Sequence, residues 1–501
     1  MRLIAVAFNA YVSGKLGAEG MGLYSLVTSV YGFSVTLATS GISLAVMRLV
    51  SEEIGKGKPQ GALLAMKKCV GYALFFGSLS FLLLFFGAHV IANRILQDSR
   101  TYLPLRVFAI ALPFIALSNV FSGYFNAVRR VIKSASANIT EQFVKIMLTV
   151  SLLRLLLPGG IAYATLALVL GPAIAEALSF FYLLAFYIFD KKKYLKTQAK
   201  TNDKNMKKRM LHISLPIALS SYLRSGLVTV QHILIPIGLR KHGADYSASL
   251  ASYGVIHGMV FPLILFPSAV CTTFAGLIVP ELSELAAKYQ NVKDHPHICY
   301  IVKRALSFAL VFGIGAAGIF ICFAEPLGIL IYQSREAAGY IRLFASLVPV
   351  MYLDTTVDGM LKGLGQQMHS MFYNIVDASL SVFLVWTLMP EIGIYGYVVC
   401  VFVTELINLA CSLSRLLNVT NARLPILKTV FSPILCIAGG TAVTMLILKS
   451  LGIAFGNLSL AVIGILSTLI FYFLFLRMTG GLSKEESRWF FGIFKKEKRA
   501  P

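Results

Sequence analysis

The chain has 501 residues, a formal charge of +23, 57% hydrophobic residues and 13% charged ones. Soluble domains carry about 25% charged residues, so a soluble globular enzyme is excluded, and the positive balance is distributed as membrane topology requires rather than as a nucleic-acid footprint. The seven cysteines are scattered, odd in number and without a CxxC, which argues against a disulfide framework and against a zinc site.

Apolar runs of about 20 residues, the length that crosses ~30 Å of hydrocarbon, recur along the whole chain. Fourteen spans are read, at roughly 1–17, 21–47, 69–92, 103–126, 136–157, 161–189, 210–238, 248–279, 302–332, 340–361, 371–389, 393–414, 429–449 and 457–477. Runs of this length are helices, not barrel strands. The first span is short, about 25 Å at 1.5 Å per residue. Arg2 therefore reads as a mid-helix residue whose preceding turns lie upstream of Met1.

The two halves repeat each other. Gly123-Tyr124-Phe125-Asn126 is followed by Asn138 and Glu141; Gly359-Met360-Leu361-Lys362 is followed by Asn374 and Asp377. The Gly-to-Asn spacing is 15 residues in both halves, and the acid follows three residues later in both. Leu49-Val50-Ser51-Glu52 answers Ile278-Val279-Pro280-Glu281. Duplication in an apolar chain is how transporters build two lobes around a central site. The expected architecture is an all-α polytopic membrane protein: an N-terminal lobe over 1–189, a basic cytoplasmic linker over 190–209, a C-terminal lobe over 210–418, appended spans 13 and 14 over 419–478, and a basic amphipathic tail over 479–501. Of the 45 Lys and Arg residues, 32 fall in the segments that lie inside when both termini are cytoplasmic, and ten fall outside. This bias sets that orientation. The linker alone holds nine, suited to topology and to contact with anionic lipid.

Arg2 and Arg224 lead the candidate residues. Each is followed seven residues later by an amide, Asn9 and Gln231, and seven residues is nearly two helical turns, so each pair shares a face. Mid-membrane arginine costs at least ~2.5 kcal/mol on insertion scales and seeks a wet cavity or a partner. Guanidinium groups bind phosphate bidentately, so two such helices suit a phosphate-bearing substrate; the plainer reading pairs each arginine with an acid in its own lobe. Arg48 lies at the inner end of span two, either as a landing site for an anionic headgroup or as an anchor. Asp354 and Asp358, one turn apart on span ten, suit uptake of a coupling cation or proton, or a salt-bridged stripe with Lys362. His232 and His257 have no clustered ligands and read as packing residues. No Walker loop, GxSxG, HExxH or dinucleotide fingerprint occurs. No metal and no resident cofactor is expected.

Several segments resemble the stage V sporulation protein B family: Leu16-Gly17-Ala18-Glu19-Gly20-Met21-Gly22-Leu23-Tyr24, Thr36-Leu37-Ala38-Thr39-Ser40-Gly41-Ile42, Gly123-Tyr124-Phe125-Asn126 with Glu141-Gln142, and Gly359 with Gly363-Leu364-Gly365. That family belongs to the polysaccharide-exporter branch of the superfamily that also holds drug/cation antiporters and lipid II flippases. The resemblance implies fourteen helices in two lobes and passage of an undecaprenyl-pyrophosphate-linked saccharide, lipid II or a related intermediate, across the bacterial cytoplasmic membrane. It also implies cavity arginines at Arg2 and Arg224, and cell-wall synthases as partners. Lipid II flippases carry a second arginine about six residues after the first, where this chain has Phe8 beside Asn9. The expected activity is a flippase working by alternating access, not an enzyme; the alternative is a cation-coupled multidrug antiporter.

Overall fold

The computed structural model describes residues 2–194, 205–289, 293–422, 427–450 and 458–480, with the backbone alone at 2, 3, 192–194, 427 and 458. The centre of the basic linker and the tail from 481 onward lie outside the described residues. Every regular element among the described residues is a helix. This is the all-α polytopic membrane fold expected from the apolar runs.

Thirteen helical stretches among the described residues are long and apolar enough to cross a membrane, so the count of fourteen is not reproduced. The first stretch, Ile4–Gly55, has 52 residues, or about 78 Å at 1.5 Å per residue, far more than one crossing needs. It is broken by Gly17 (φ 70°, ψ −176°) and by Gly41 in the left-handed region. The expected eighth span is divided into Tyr246–Leu265 and Ser268–Lys288. The expected tenth is divided into Arg335–Ala345 and Val348–Gly363, each too short to span alone. Large apolar side chains on the outer faces are exposed, such as Phe75, Leu83 and Phe86 on Pro59–Val90, which suits a hydrocarbon solvent and not water.

The chain forms two compact units. One is Leu16–Gly254; the other combines Arg2–Lys15 with Val255 onward. The repeat read from the sequence divides at 190–209, whereas the compact units divide at Lys15/Leu16 and at Gly254/Val255. Both crossing points coincide with irregular backbone: Gly17 beside the first, and the π-helical turn Val255–Val260 at the second. π-turns interrupt the hydrogen-bond ladder and recur at functional positions.

In the first unit, Pro59–Val90 packs on Tyr102–Ala127, and Val131–Leu156 on Ile161–Tyr194. Buried Asp190 ties the latter pair together by accepting from Arg130 Nη1 and Lys133 Nζ, both at 2.5 Å. In the second unit, a core of Phe274, Ile278, Leu306, Val357 and Met360 joins Ser268–Lys288, Pro296–Cys322 and Val348–Gly363. The last two helices pack on Pro296–Cys322, and the Tyr472 hydroxyl donates to the Val311 carbonyl at 2.7 Å.

Gly17 occupies a φ/ψ region that is essentially closed to side chains, although nothing lies within 4 Å of where its Cβ would be. Gly17→Ala should therefore destabilise by about 1–3 kcal/mol through backbone strain alone. Gly14→Ala, equally uncrowded but in regular helix, should be neutral or stabilising by about 0.5–1 kcal/mol. Melting temperatures of the two purified variants test the contrast.

Candidate functional site

Helix Met206–Lys241 runs antiparallel to residues 18–39 within the first unit. Thr229 Oγ1 donates to the Ser29 carbonyl at 3.2 Å, Ser225 Oγ to Thr36 Oγ1 at 3.1 Å, and the Tyr222 hydroxyl to the Leu37 carbonyl at 3.1 Å. Farther along, the Gly41 backbone lies against the Ser214 carbonyl. Arg224 sits between Tyr222 and Ser225 in sequence yet is exposed, with no ion pair among the described residues. Leu215, Leu219 and Leu223 on the same helix are exposed as well, at 52%, 61% and 53%. Gln231 is half-buried two turns on. The Arg2 side chain lies outside the described residues.

Toward one end of this pair, helix Tyr246–Gly254 crosses residues 18–39 backbone to backbone. A Cβ on Gly22 would overlap the Leu250 carbonyl oxygen, and one on Gly254 would overlap the Ala18 carbonyl oxygen. A polar network borders this crossing. Glu19 accepts from Arg100 Nη1 at 2.9 Å and from Ser247 Oγ at 2.8 Å. Asp98 accepts from Arg100 Nε and Nη2 at 3.0 and 2.8 Å and from the Tyr246 hydroxyl at 2.8 Å. Arg240 donates to Gln97 at 2.8 Å and lies 5.2 Å from the Tyr246 ring centroid. Burial pushes the Asp98 carboxyl up, but the hydrogen bonds from Arg100 and Tyr246 outweigh it and hold the group below its ordinary 3.8.

At the opposite end, Arg209 grips Glu52 at 2.6 Å and Glu53 at 2.9 Å, and Arg48, 64% exposed, bonds Glu52 at 3.1 Å. Arg48 is thus already engaged by an acid on its own helix, with most of its side chain open. Of the acids within spans, Glu141 faces Ser179 and Lys145, with Glu176 near enough to interact electrostatically. His232 Nδ1 is 2.8 Å from the Tyr253 hydroxyl, and His257 packs on Phe261 and Tyr397.

The second unit holds the remaining candidates. On Arg2–Lys15, Asn9 is half-buried with its Oδ1 unbonded, and Ser13 is buried with its hydroxyl unbonded. Asp358 is engaged by Lys362 Nζ at 2.5 Å and by the Ser370 hydroxyl. Asp354 instead accepts from Asn408 Nδ2 on Ile394–Thr420 at 3.1 Å. The two carboxylates expected to act together thus have separate partners. Among the described residues no group of three or more His, Cys, Asp or Glu side chains is placed to hold a metal ion.

The sequence reading passed over Glu19, Asp98, Arg100 and Asn408. Asn408 belongs to a buried stripe, Thr404, Asn408 and Ser412, at spacing four on an apolar helix; that spacing is the signal that marks it.

Residues 1–270 match the model of a family described as polysaccharide biosynthesis protein. The chain belongs to the polysaccharide biosynthesis protein family. Among curated relatives, this family member is 28% identical to stage V sporulation protein B of Bacillus subtilis over 79% of its own length and 76% of that protein. It is 23% identical to the lipid II flippase MurJ of the same organism over 56% of its length and 55% of that protein. Its fold is that of a lipid II flippase MurJ solved in an inward closed conformation, with a TM-score of 0.70 at 14% identity over 95% and 97% of the two chains. A multidrug resistance transporter of the MATE family, inward-facing, gives 0.66 at 15% identity over 84% and 95%. The family member is thus a multi-pass membrane protein with the fold of that transporter superfamily.

Two outcomes follow for the Gly22–Gly254 crossing. In a Gly22→Leu variant the helices must separate, so a cysteine introduced at buried Leu250 should become reactive to a water-soluble maleimide; in the Gly22 background it should stay protected. The depressed Asp98 carboxyl favours the bonded state while ionised, so its contribution is complete above the ordinary value of 3.8 and is lost as pH falls through the lower folded value. A spin label at exposed Ala248 should accordingly stay immobile through mild acid and gain mobility only below the ordinary carboxylate range.

Proposed function

We propose that this protein is a flippase that moves a polyprenyl-pyrophosphate-linked saccharide, lipid II or a related cell-wall intermediate, across the bacterial cytoplasmic membrane by alternating access. The observation that carries this reading is Arg224: a permanently charged guanidinium within a membrane-length helix, exposed and without an ion pair among the described residues. Such a charge needs water or an anionic ligand, and a diphosphate supplies one in bidentate geometry. Membership of the polysaccharide biosynthesis protein family and the fold shared with a lipid II flippase support the same cargo.

In this reading Arg2 is the second guanidinium, Asn9 and Gln231 bind the sugar-phosphate face, and Arg48 receives the headgroup. The polyprenyl tail stays in lipid. The halves 1–189 and 210–418 rock about the basic linker, with both termini cytoplasmic. Anionic lipids hold the basic segments at the membrane, and cell-wall synthases supply or consume the cargo. The protein is a transporter and not an enzyme. Uptake of a cation or proton beside Asp354 and Asp358 returns the empty protein. A second reading, cation-coupled drug export, is favoured by the likeness to a MATE-family fold and by those same acids.

Headgroup accessibility in proteoliposomes carrying lipid II tests the proposal. Wild-type protein should expose the headgroup on the far leaflet. Arg224→Ala should lose about tenfold or more in rate, equal to at least ~1.4 kcal/mol, while Arg224→Lys keeps the charge but not the fork and should fall between. Full activity of a folded Arg224→Ala protein would remove the role of this residue. Resistance to cationic dyes without headgroup movement would favour drug export.

A further inference from the structure

Glu52 holds two guanidiniums at once. Its Oε1 accepts from Arg48 Nε at 3.1 Å, one turn back on Ile42–Gly55, and its Oε2 accepts from Arg209 Nη2 on Met206–Lys241 at 2.6 Å. Arg209 reaches the adjacent Glu53 with its other terminal nitrogen, Nη1, at 2.9 Å. The two acids differ in their surroundings. Glu53 is buried against Gly61, where a Cβ would overlap its Oε2. The Glu52 side chain is 36% exposed and that of Arg48 64%. Glu53 thus anchors Arg209 to the fold, while Glu52 fills an open place between two cations. Exposed ion pairs contribute little to stability, so anchoring alone gives this second carboxylate no strong duty. A carboxylate gripped by two guanidiniums instead outlines a place that fits phosphate oxygens. Exposed Lys56, Lys58, Lys207 and Lys208 flank the pair in sequence and raise the local concentration of any anion.

We propose that Glu52 is a specificity-determining residue: a tethered carboxylate that occupies the Arg48–Arg209 pair against singly charged phosphodiesters and yields it to a diphosphate. Anionic phospholipids are abundant at a membrane surface, and an open pair of guanidiniums would be filled by them. A phosphodiester brings one negative charge. Its exchange for Glu52 replaces one charge by one charge, and Glu52 returns at the high effective concentration of a group tethered beside the site. A diphosphate esterified at both ends brings two charges. Its non-bridging oxygens lie on two phosphorus atoms, enough to meet both guanidiniums bidentately. The surplus charge displaces Glu52, and Arg209 stays joined to Ile42–Gly55 through Glu53. The inference rests on the proposed cargo for its purpose, but charge selection is measured without transport.

The test uses the purified full-length protein and two soluble probes at constant ionic strength: dimethyl phosphate, with one charge, and symmetric dimethyl diphosphate, with two. Binding is read from the rise in melting temperature with probe concentration. The wild type should bind the diphosphate about tenfold more tightly, the scale of one added charge pair near a protein surface. Glu52→Gln should gain affinity for dimethyl phosphate and shrink that ratio, Glu52→Asp should restore it, and Arg48→Gln should weaken binding of both probes. A merely structural Glu52 would change the melting temperature without probe and leave the ratio alone. An unchanged ratio in folded Glu52→Gln protein would overturn the proposal, as would a wild type that binds neither probe. In proteoliposomes, headgroup movement by Glu52→Gln should slow as phosphatidylglycerol replaces phosphatidylcholine, while the wild type holds its rate; equal sensitivity of the two proteins would also count against it. Selective diphosphate binding without headgroup movement in any vesicle would leave the charge filter standing and remove the flippase reading.

Discussion

Two glycines fix the closest approach in the first unit. Where residues 18–39 meet Tyr246–Gly254, the backbone of each helix fills the space a side chain would take on the other at Gly22 and Gly254. Such contact is tight but holds little apolar area, so it stabilises less than a side-chain interface does. Its surroundings supply the rest: Glu19, Asp98 and Arg100 share charge-assisted bonds, and Tyr246 and Ser247 join them from the crossing helix. A junction of this kind closes fully and parts at modest cost, which is what a gate requires. It also joins residues 18–39 to Tyr246–Gly254, which the sequence repeat assigns to different halves.

The same unit contains a second junction at the far end of helix Met206–Lys241, where Arg209 holds Glu52 and Glu53. Between the two junctions lies Arg224. Hydrocarbon gives such a charge no solvation, and the neighbouring leucines are exposed. The arrangement makes sense when the exposed face of this helix at Arg224 borders water or an anionic ligand. Asn408 poses the same problem in the second unit on a smaller scale: an acceptor placed in a dry environment beside a carboxylate. Both residues mark where the bundle departs from being a packed solid.

Much of the fold was legible because the bilayer imposes one length scale and one periodicity. Apolar runs, the basic segments and the repeat of Gly, Asn and acid needed no tertiary information. The breaks did. Gly17 marked the end of a span in the sequence, but its left-handed backbone and the chain crossing beside it depend on which helices pack together. The division of the eighth span at Phe266–Pro267 is invisible to hydropathy, since both of its pieces are apolar, and that of the tenth at Ser346–Leu347 falls inside the apolar run Leu343–Leu353. The site was less legible still. Arg224 stood out because arginine is rare in such runs, whereas Glu19 follows the Gly17 break and Asp98 and Arg100 sit in the short connection after Ile95, where charge is ordinary. Asn408 was overlooked because a single amide carries no charge, and its meaning comes from the carboxylate placed opposite it by another helix.

Under the proposed flippase function, the Gly22–Gly254 crossing would have to open during each transport cycle. Cysteines placed at Glu19 and Ser247, whose side chains are 2.8 Å apart, in a background with the native cysteines replaced, give the most direct measurement. Headgroup movement in proteoliposomes is followed before oxidation, after disulfide formation and after reduction. The account predicts that the disulfide stops movement and that reduction restores it. Undiminished movement by fully cross-linked protein would contradict it.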